Sequence, residues 1–452
     1  MLDLVIRLSE NSLKNESVLF NLASLPKQGK HIIVLGAPIK LLNSISTAAH
    51  IATESRYDLT TLIDAVKEDI YILLNSFGLV CTNNVQALIF RIETLLKGIN
   101  YTGSLSAMIL DQILSYADKI SALIFSEYIT KKGFINQFIS PEDLGLIVSD
   151  EYGNASILLS DSLSKLNTSI LSNINIIPGS HGVSLSGKTI RIGFQAADYT
   201  ASALAKLLQV ENLELWNINT PFKTVDSNII PTAEYVTELS YAEASELAYF
   251  DSSASIHPRI VDPLLDKNIP IKVFDLTSSG KILMTKISSL ENISSTIVKS
   301  VAHSDDIALL KLSGPGVGFK SGILAKVTTS LHMNQINIRS VITAQTSINF
   351  IIEKQHVKKL IRLITDLNLL SICKFEVQDN VSLIAIIGHG MQSQHGISAS
   401  LFAALTKIKT NVLLSGSGAS DLVSYIIVKD EDKVKSIKEI HRTFFLINNY
   451  KI

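Results

Sequence analysis

The last third of the chain carries one pattern twice, and this duplication limits the fold more than any other feature. Gly314-Pro315-Gly316 is followed by Gly322-Ile323 and then by Asn337-Ile338. Gly388-His389-Gly390 is followed by Gly396-Ile397 and then by Asn411-Val412. The Gly-to-Asn offset is 23 residues in each copy, and the copies begin 74 residues apart. Two copies of that size specify two small modules of one design, since a solenoid needs at least three stacked repeats. In each copy an apolar strand (307–312; 382–387) enters the glycine turn and a helix follows (323–332; 397–408). A strand at Asn337 or Asn411, a further strand (347–352; 422–428) and a last helix (356–366; 433–443) complete the copy. That order predicts a ferredoxin-like βαββαβ unit, and such units tend to pair their sheets side by side.

Upstream the pattern changes. The run His31-Ile32-Ile33-Val34-Leu35-Gly36 predicts a strand buried on both faces, as in a parallel sheet. Residues 41–130 carry helix-period apolar spacing with few breakers, so they are expected to be mostly helical. Strands are expected at 174–178 and 189–193, with a helix starting at 198 that Asp198 or Thr200 could cap. Further strands at 213–216 and 269–273 complete an alternation typical of an open α/β sheet. A Ser-rich stretch at 287–300 reads as a linker. The expected domains are therefore 1–290, 305–372 and 380–452.

A chain of 452 residues, 46% of them hydrophobic, can bury more than one core. Its net charge of −1 gives no electrostatic case for nucleic acid or an anionic membrane. No apolar run reaches the roughly 20 residues needed to span a bilayer, and the start reads as no signal peptide. Cys81 and Cys373 are the two cysteines, too few for a metal quartet or a disulfide framework. A reducing cytoplasm is the compartment this implies.

Several of these residues together resemble the aspartokinase family, an amino-acid-kinase domain followed by tandem ACT domains. The strongest markers are the run from Leu239-Ser240-Tyr241 to Tyr249-Phe250 and the segment Ile256-His257-Pro258-Arg259. They are similar to the family's SY-x-EA-x-EL-x-YFGAK-x-LHPR block. Gly314-Pro315-Gly316 and Asn337-Ile338-Arg339 match its ACT signature. The fold this implies is an open α/β sheet sandwiched by helices, then two ferredoxin-like domains.

The resemblance also fixes where catalytic groups should lie, and there the chain departs from the pattern. Phosphoryl transfer needs cations and backbone N–H groups around the phosphates, because catalysis is mostly positioning and charge stabilisation. The family's K-F-G-G-x-S-V strand end corresponds to Arg7-Leu8-Ser9-Glu10-Asn11-Ser12-Leu13, which keeps a cation, loses both glycines and gains Glu10. Glu10 would lie beside polyphosphate, or else would pair with Arg7 at the surface. The substrate strand end corresponds to 36–43, where Gly36 and Leu42 replace hydroxyl residues. The R-G-E motif corresponds to Tyr116-Ala117-Asp118, with Ser121 retained after it. The carboxylate-clamping arginine corresponds to Phe194, and Asp198 survives four residues on, either as a catalytic group or as a helix cap.

The nucleotide loop carries Ile218, Thr220 and Pro221 in place of two aspartates and a glycine, and the FGAK lysine is replaced within 251–254. Proline fixes φ and removes an N–H, so a glycine-dependent path around nucleotide is lost. The resemblance thus leaves Arg7, Asp118 and Asp198 as residual catalytic candidates and Ser121 as a substrate contact. In the first ACT module it implies an effector site of Lys320, Ser321, Gly322, Ile323, Asn337, Ile338 and Thr343, unless the modules serve only to hold a dimer together. His257 reads as a capping or packing residue, and His389 and His395 as solvated loop residues.

The expected function is an aspartokinase-like protein with an impaired kinase site. It would form a homodimer through its ACT modules and bind an amino acid or regulate a competent paralogue. The alternative is an active kinase making 4-phospho-L-aspartate from aspartate and ATP with Mg²⁺. No metal is expected otherwise.

Overall fold

In the computed structural model, the described residues are 2–27, 29–54, 58–193, 195–217, 222–251, 256–290, 297–318, 320–367, 369, 372–418 and 420–447. They divide into two units between which the chain passes repeatedly. One unit comprises 1–221, 237–241 and 256–290, and the other 222–236, 242–255 and 291–452.

The first unit is built on an eight-stranded sheet. Its strands in chain order are β1 (Leu2–Leu8), β2 (Lys30–Leu35), β3 (Gln137–Phe138), β4 (Ile174–Pro178), β7 (Leu213–Asn217), β8 (Glu238–Ser240), β9 (Ile271–Thr277) and β10 (Gly280–Ser288). They are arranged β3-β4-β2-β1-β7-β9-β10-β8. The pairs from β3 to β9 are parallel, while β10 returns antiparallel to β9. β6 (Thr189–Arg191), expected to join this alternation, instead pairs with β5 (His181–Val183), read as a glycine turn, in a separate two-stranded hairpin.

The helices are α1 (Glu16–Ala23), α2 (Ile39–Ile51), α3 (Leu59–Ser76), α4 (Asn83–Thr102), α5 (Ala107–Lys131), α6 (Pro141–Leu144), α7 (Leu159–Lys165) and α8 (Ala197–Leu207); α2 to α5 and α8 follow the expected spacing, and α1, α6 and α7 were not foreseen. Their starts are local: Asp58, Thr82 and Ser106 each accept hydrogen bonds from the first turn of α3, α4 and α5. Strand alternation then assigns faces. Leu4, Ile6, Leu8, Ile33 and Leu35 pack into one core with α2 to α5, whereas Val5 and Arg7 point to the other side. There α8 lies against β1, β2 and β7. Gly179 permits this approach, since a Cβ at that position would meet Val34 and the backbone of Ala197 at 2.5–2.8 Å.

The second unit holds two four-stranded antiparallel sheets. One contains β12 (Ile307–Ser313), β13 (Ile338–Ala344), β14 (Ser347–Glu353) and β15 (Lys374–Gln378), with α10 (Ile323–Met333) and α11 (Val357–Asp366) in the βαββαβ order expected. The other contains β11 (Ser300–Ser304), β16 (Val381–Ile387), β17 (Leu414–Gly416) and β18 (Val423–Lys429), with α12 (Ile397–Lys407) and α13 (Lys433–His441). Its fourth strand, β11, precedes the whole first module in sequence, so the two modules are interleaved. The stretch read as a linker at 287–300 accordingly ends inside this strand.

The duplicated sequence pattern has a backbone counterpart. Gly322 and Gly396 cap α10 and α12 at φ of 86° and 90°, where side chains are disfavoured. The isoleucines that follow, Ile323 and Ile397, open each helix from within its core. Gln335 and Lys409 both adopt left-handed φ, 56° and 54°, two residues before the repeated Asn.

Helix α9 (Tyr241–Phe250) carries most of the 239–250 run that resembles the family block. Within the second unit its Glu243 is 1% exposed, and one carboxylate oxygen meets Lys299 Nζ at 2.7 Å. The other oxygen accepts the backbone N–H of His389 at 3.0 Å. A buried carboxylate must be paired in this way to be tolerated. Phe250 stacks on Tyr425, whose hydroxyl meets that of Ser340 at 2.6 Å.

Candidate functional site

The carboxyl ends of β1, β2 and β4 and the start of α8 bring together the first group of expected residues. Arg7 leaves β1 on the α8 side and is nine-tenths buried. Its Nε donates to Asp198 Oδ1 at 2.7 Å. Its Nη2 donates to both oxygens of Glu10, at 2.9 and 3.1 Å. Nη1 donates to the carbonyl of Leu8. Every face of this guanidinium fork is therefore engaged by the protein itself, and two of its partners are anions.

Glu10 does more than pair. Its Oε1 also accepts the backbone N–H of Gly36 at 2.9 Å, and a Cβ at residue 36 would collide with it. Arg7 and Glu10 therefore do pair, with the guanidinium buried and the carboxylate 22% exposed. The cluster of one cation and two carboxylates carries a net charge of −1. Burial opposes the Arg7 charge, but Glu10 and then Asp198 outweigh it and raise its pKa. For Asp198, burial pushes the pKa up, against the pull of Arg7 and the His257 N–H; Glu10 adds to the rise as a like charge.

Asp198 is not a helix cap. Ala196 occupies that position with no side-chain bond, while Asp198 Oδ2 accepts the N–H of His257 at 2.9 Å. Thr200 likewise donates to the Gly179 carbonyl, at 2.6 Å, and caps nothing. His257 itself takes the capping role expected of it, its Nδ1 accepting from the Arg259 N–H at 3.1 Å. It stacks on Tyr199, and Arg259 covers the same ring at 4.4 Å. Burial, with help from Arg259, lowers the His257 pKa to about 4.

The second group centres on α5. Asp118 is fully buried; its Oδ1 accepts the Ala37 N–H at 3.0 Å and its Oδ2 lies 3.6 Å from Arg191 Nη2. Arg191 escaped the sequence reading. The signal was a cation in a short strand three residues before Phe194, directly opposite His181 in the β5–β6 register. Next to it, Lys119 meets Glu142 at 2.6 Å. Ser121 Oγ, Asp118 Oδ2, Arg191 Nε and both His181 nitrogens are buried with no hydrogen-bond partner among the described residues. Two of these atoms have ionic neighbours short of a hydrogen bond, Asp118 Oδ2 beside Arg191 at 3.6 Å and His181 Nε2 beside Glu142 at 3.8 Å.

Phe194, Ile218, Thr220, Pro221 and 252–254 lie outside the described residues. What can be tested is whether the rest suits a nucleotide with Mg²⁺. Glu10 takes Arg7 Nη2, in the strand end that the resemblance puts beside phosphate, and the Gly36 amide, in the one it puts beside substrate. A phosphate oxygen about 4 Å from that carboxylate would meet a repulsion of about 4 kcal/mol at an effective dielectric near 20. Among the described residues, no group of three or more His, Cys, Asp or Glu could hold a metal ion.

In the second unit, Gly322 and Ile323 open α10, Asn337 immediately precedes β13, and Ile338 and Thr343 lie on it. β13 is the edge strand of its sheet. Lys320, Ser321, Asn337 and Thr343 are exposed. No described helix is long and apolar enough to cross a membrane.

Comparison with known proteins agrees with this architecture. The amino acid kinase family profile matches residues 4–275, and an ACT domain profile matches 384–444. A bifunctional aspartokinase/homoserine dehydrogenase of Buchnera aphidicola is 24% identical over 433 residues, 91% of this chain and 52% of that protein. The chain thus spans about half the length of the bifunctional relatives it matches. Aspartokinase 2 of Arabidopsis thaliana is 27% identical, covering 78% of this chain and 67% of its own length. The crystal structure of Escherichia coli aspartokinase III with aspartate and ADP superimposes with a TM-score of 0.80 at 21% identity, covering 98% of this chain and all of the other. Sheet order, ACT modules and family profile together place this chain in the amino acid kinase family, as a member of its aspartokinase branch.

Proposed function

We propose that this chain is an aspartokinase homologue of the pathway from aspartate to lysine, threonine and methionine, with a phosphoryl-transfer cleft that is impaired. One observation carries the reading: Glu10 takes both the Arg7 guanidinium and the Gly36 amide, donors of the kind a phosphate would need. Catalysis of phosphoryl transfer rests almost wholly on such donors, so their loss removes most of what the fold could contribute. No step through ATP or Mg²⁺ is derived for this cleft.

The role that remains is regulatory. The ACT modules, taken as 305–372 and 380–452, would bind an amino acid at Lys320, Ser321, Gly322, Ile323, Asn337, Ile338 and Thr343. A helix opening with free N–H groups suits a carboxylate, and an edge strand offers backbone groups to an ammonium. The modules would also form a homodimer or join a catalytically competent paralogue. The retained charges at Arg7 and Asp118, with Asp198 and buried Ser121 kept, support the second reading, an active aspartate kinase in which these four residues do the work.

Thermal melting separates the two. A ligand that binds only the folded form must raise the midpoint. The impaired reading expects no shift from millimolar ATP with Mg²⁺, no ADP release with aspartate present, and a shift from lysine, threonine or methionine. Nucleotide stabilisation together with aspartate-dependent ADP release would establish the active kinase instead.

A further inference from the structure

The impaired reading treats Glu10 as an obstacle, but its contacts describe something more definite. Glu10 is 22% exposed at its side chain, and its two oxygens are met by a guanidinium Nη2 and a backbone amide, at 2.9–3.1 Å. Those are the distances and donor types of a bound oxyanion. The donors come from elements that Glu10 does not itself build. Arg7 lies on β1 and is held in place by Asp198 and the Leu8 carbonyl, while Gly36 follows β2. Both would stay where they are if the Glu10 side chain were removed. Asp198 would still neutralise Arg7, and the cluster charge would rise from −1 to zero.

We infer that Glu10 is a resident anion filling a preformed oxyanion site made by Arg7 Nη2 and the Gly36 N–H, and that the site takes phosphate once that carboxylate is gone. This rests on the reading of the cleft as impaired, and adds that the impairment is an internal plug on an intact binding geometry. The selectivity follows from the donors. A planar fork and an adjacent amide recognise a multi-oxygen anion such as phosphate, and chloride cannot bridge them in the same way.

The test compares the parent chain with E10A and E10S, titrated with inorganic phosphate and, at matched ionic strength, with chloride. Binding is read by ³¹P NMR line broadening and by the melting midpoint. In whichever variant folds, phosphate broadens and the midpoint rises with its concentration; chloride does neither, and the parent responds to neither ion. Adding R7Q to the responsive variant abolishes the effect. Absence of phosphate binding in a folded E10A or E10S protein overturns the inference, as does binding that survives R7Q or is matched by chloride. If the parent itself binds ATP with Mg²⁺, it is the impaired reading that falls. A parent blind to nucleotide with variants blind to phosphate removes only the plug.

Discussion

The charge cluster at the end of β1 makes a prediction about the sign of an effect as well as its size. In the parent, Arg7 separates two carboxylates, and Asp198 is the more deeply held, at 5% side-chain exposure against 22% for Glu10. Replacing Arg7 with Met leaves the buried Asp198 and the partly exposed Glu10 without their shared cation, each keeping one backbone N–H, and losing one partner of a buried ion pair costs about 3–5 kcal/mol. Glu10→Ala in the parent removes a partly exposed pair and should cost about 1 kcal/mol or less.

In the R7M background the same E10A change should stabilise. Two carboxylates on opposite sides of the missing fork, roughly 7 Å apart, repel by about 2 kcal/mol at an effective dielectric near 20, and E10A removes that repulsion. The double-mutant cycle therefore has a coupling of about 3 kcal/mol, with a change of sign between backgrounds. Chemical unfolding followed by tryptophan fluorescence is the suitable assay. The chain has one tryptophan, and Trp216 lies buried on β7, so its emission reports the first unit even if the two units unfold separately. If E10A destabilises R7M as much as it does the parent, the two carboxylates do not share one guanidinium and the reasoning is refuted.

Three further outcomes follow from other sites. The His257 pKa falls to about 4, below its ordinary value, so the folded state disfavours its protonation. The stability it contributes is complete above about pH 6.5 and is lost as pH falls toward 4, by about 2–3 kcal/mol. H257N, which keeps a capping side chain but does not titrate, should flatten that part of the pH profile in urea melts; an unchanged slope would show that another group titrates there. Gly388→Ala would press a methyl group into the backbone of Ile297 and Lys299 and should destabilise the second unit by about 2 kcal/mol or more. Gly98→Ala, in the middle of α4 with nothing within 4 Å, should stabilise the first unit by about 0.5–1 kcal/mol. Equal effects from the two alanines in calorimetry would contradict this.

Much of the architecture could be read along the chain because it is encoded by local rules. A continuous apolar run marked β2, a strand feeding a glycine turn marked β4, helical spacing marked α2 to α5, and the paired Gly-Ile and Asn signals marked each ACT module. The glycine offset worked because a left-handed cap and a buried isoleucine are both properties of neighbouring residues. The resemblance likewise drew attention to Arg7, Asp118 and Asp198 one at a time.

The tertiary structure alone decided what those residues do. Asp198 could be read as a cap from its position near a helix start; only the packing of α8 on β1 turns it toward Arg7 and the His257 amide. Glu10 and Gly36 are 26 residues apart, Asp118 and Arg191 are 73 apart, and no periodicity links either pair. β11 belongs to the second ACT sheet although the entire first module intervenes. Helices, caps and turns depend on contacts over a few residues, which a sequence states directly. Charge pairing and strand order depend on which distant segments the fold brings within hydrogen-bond reach, and that is fixed only when the whole chain has packed.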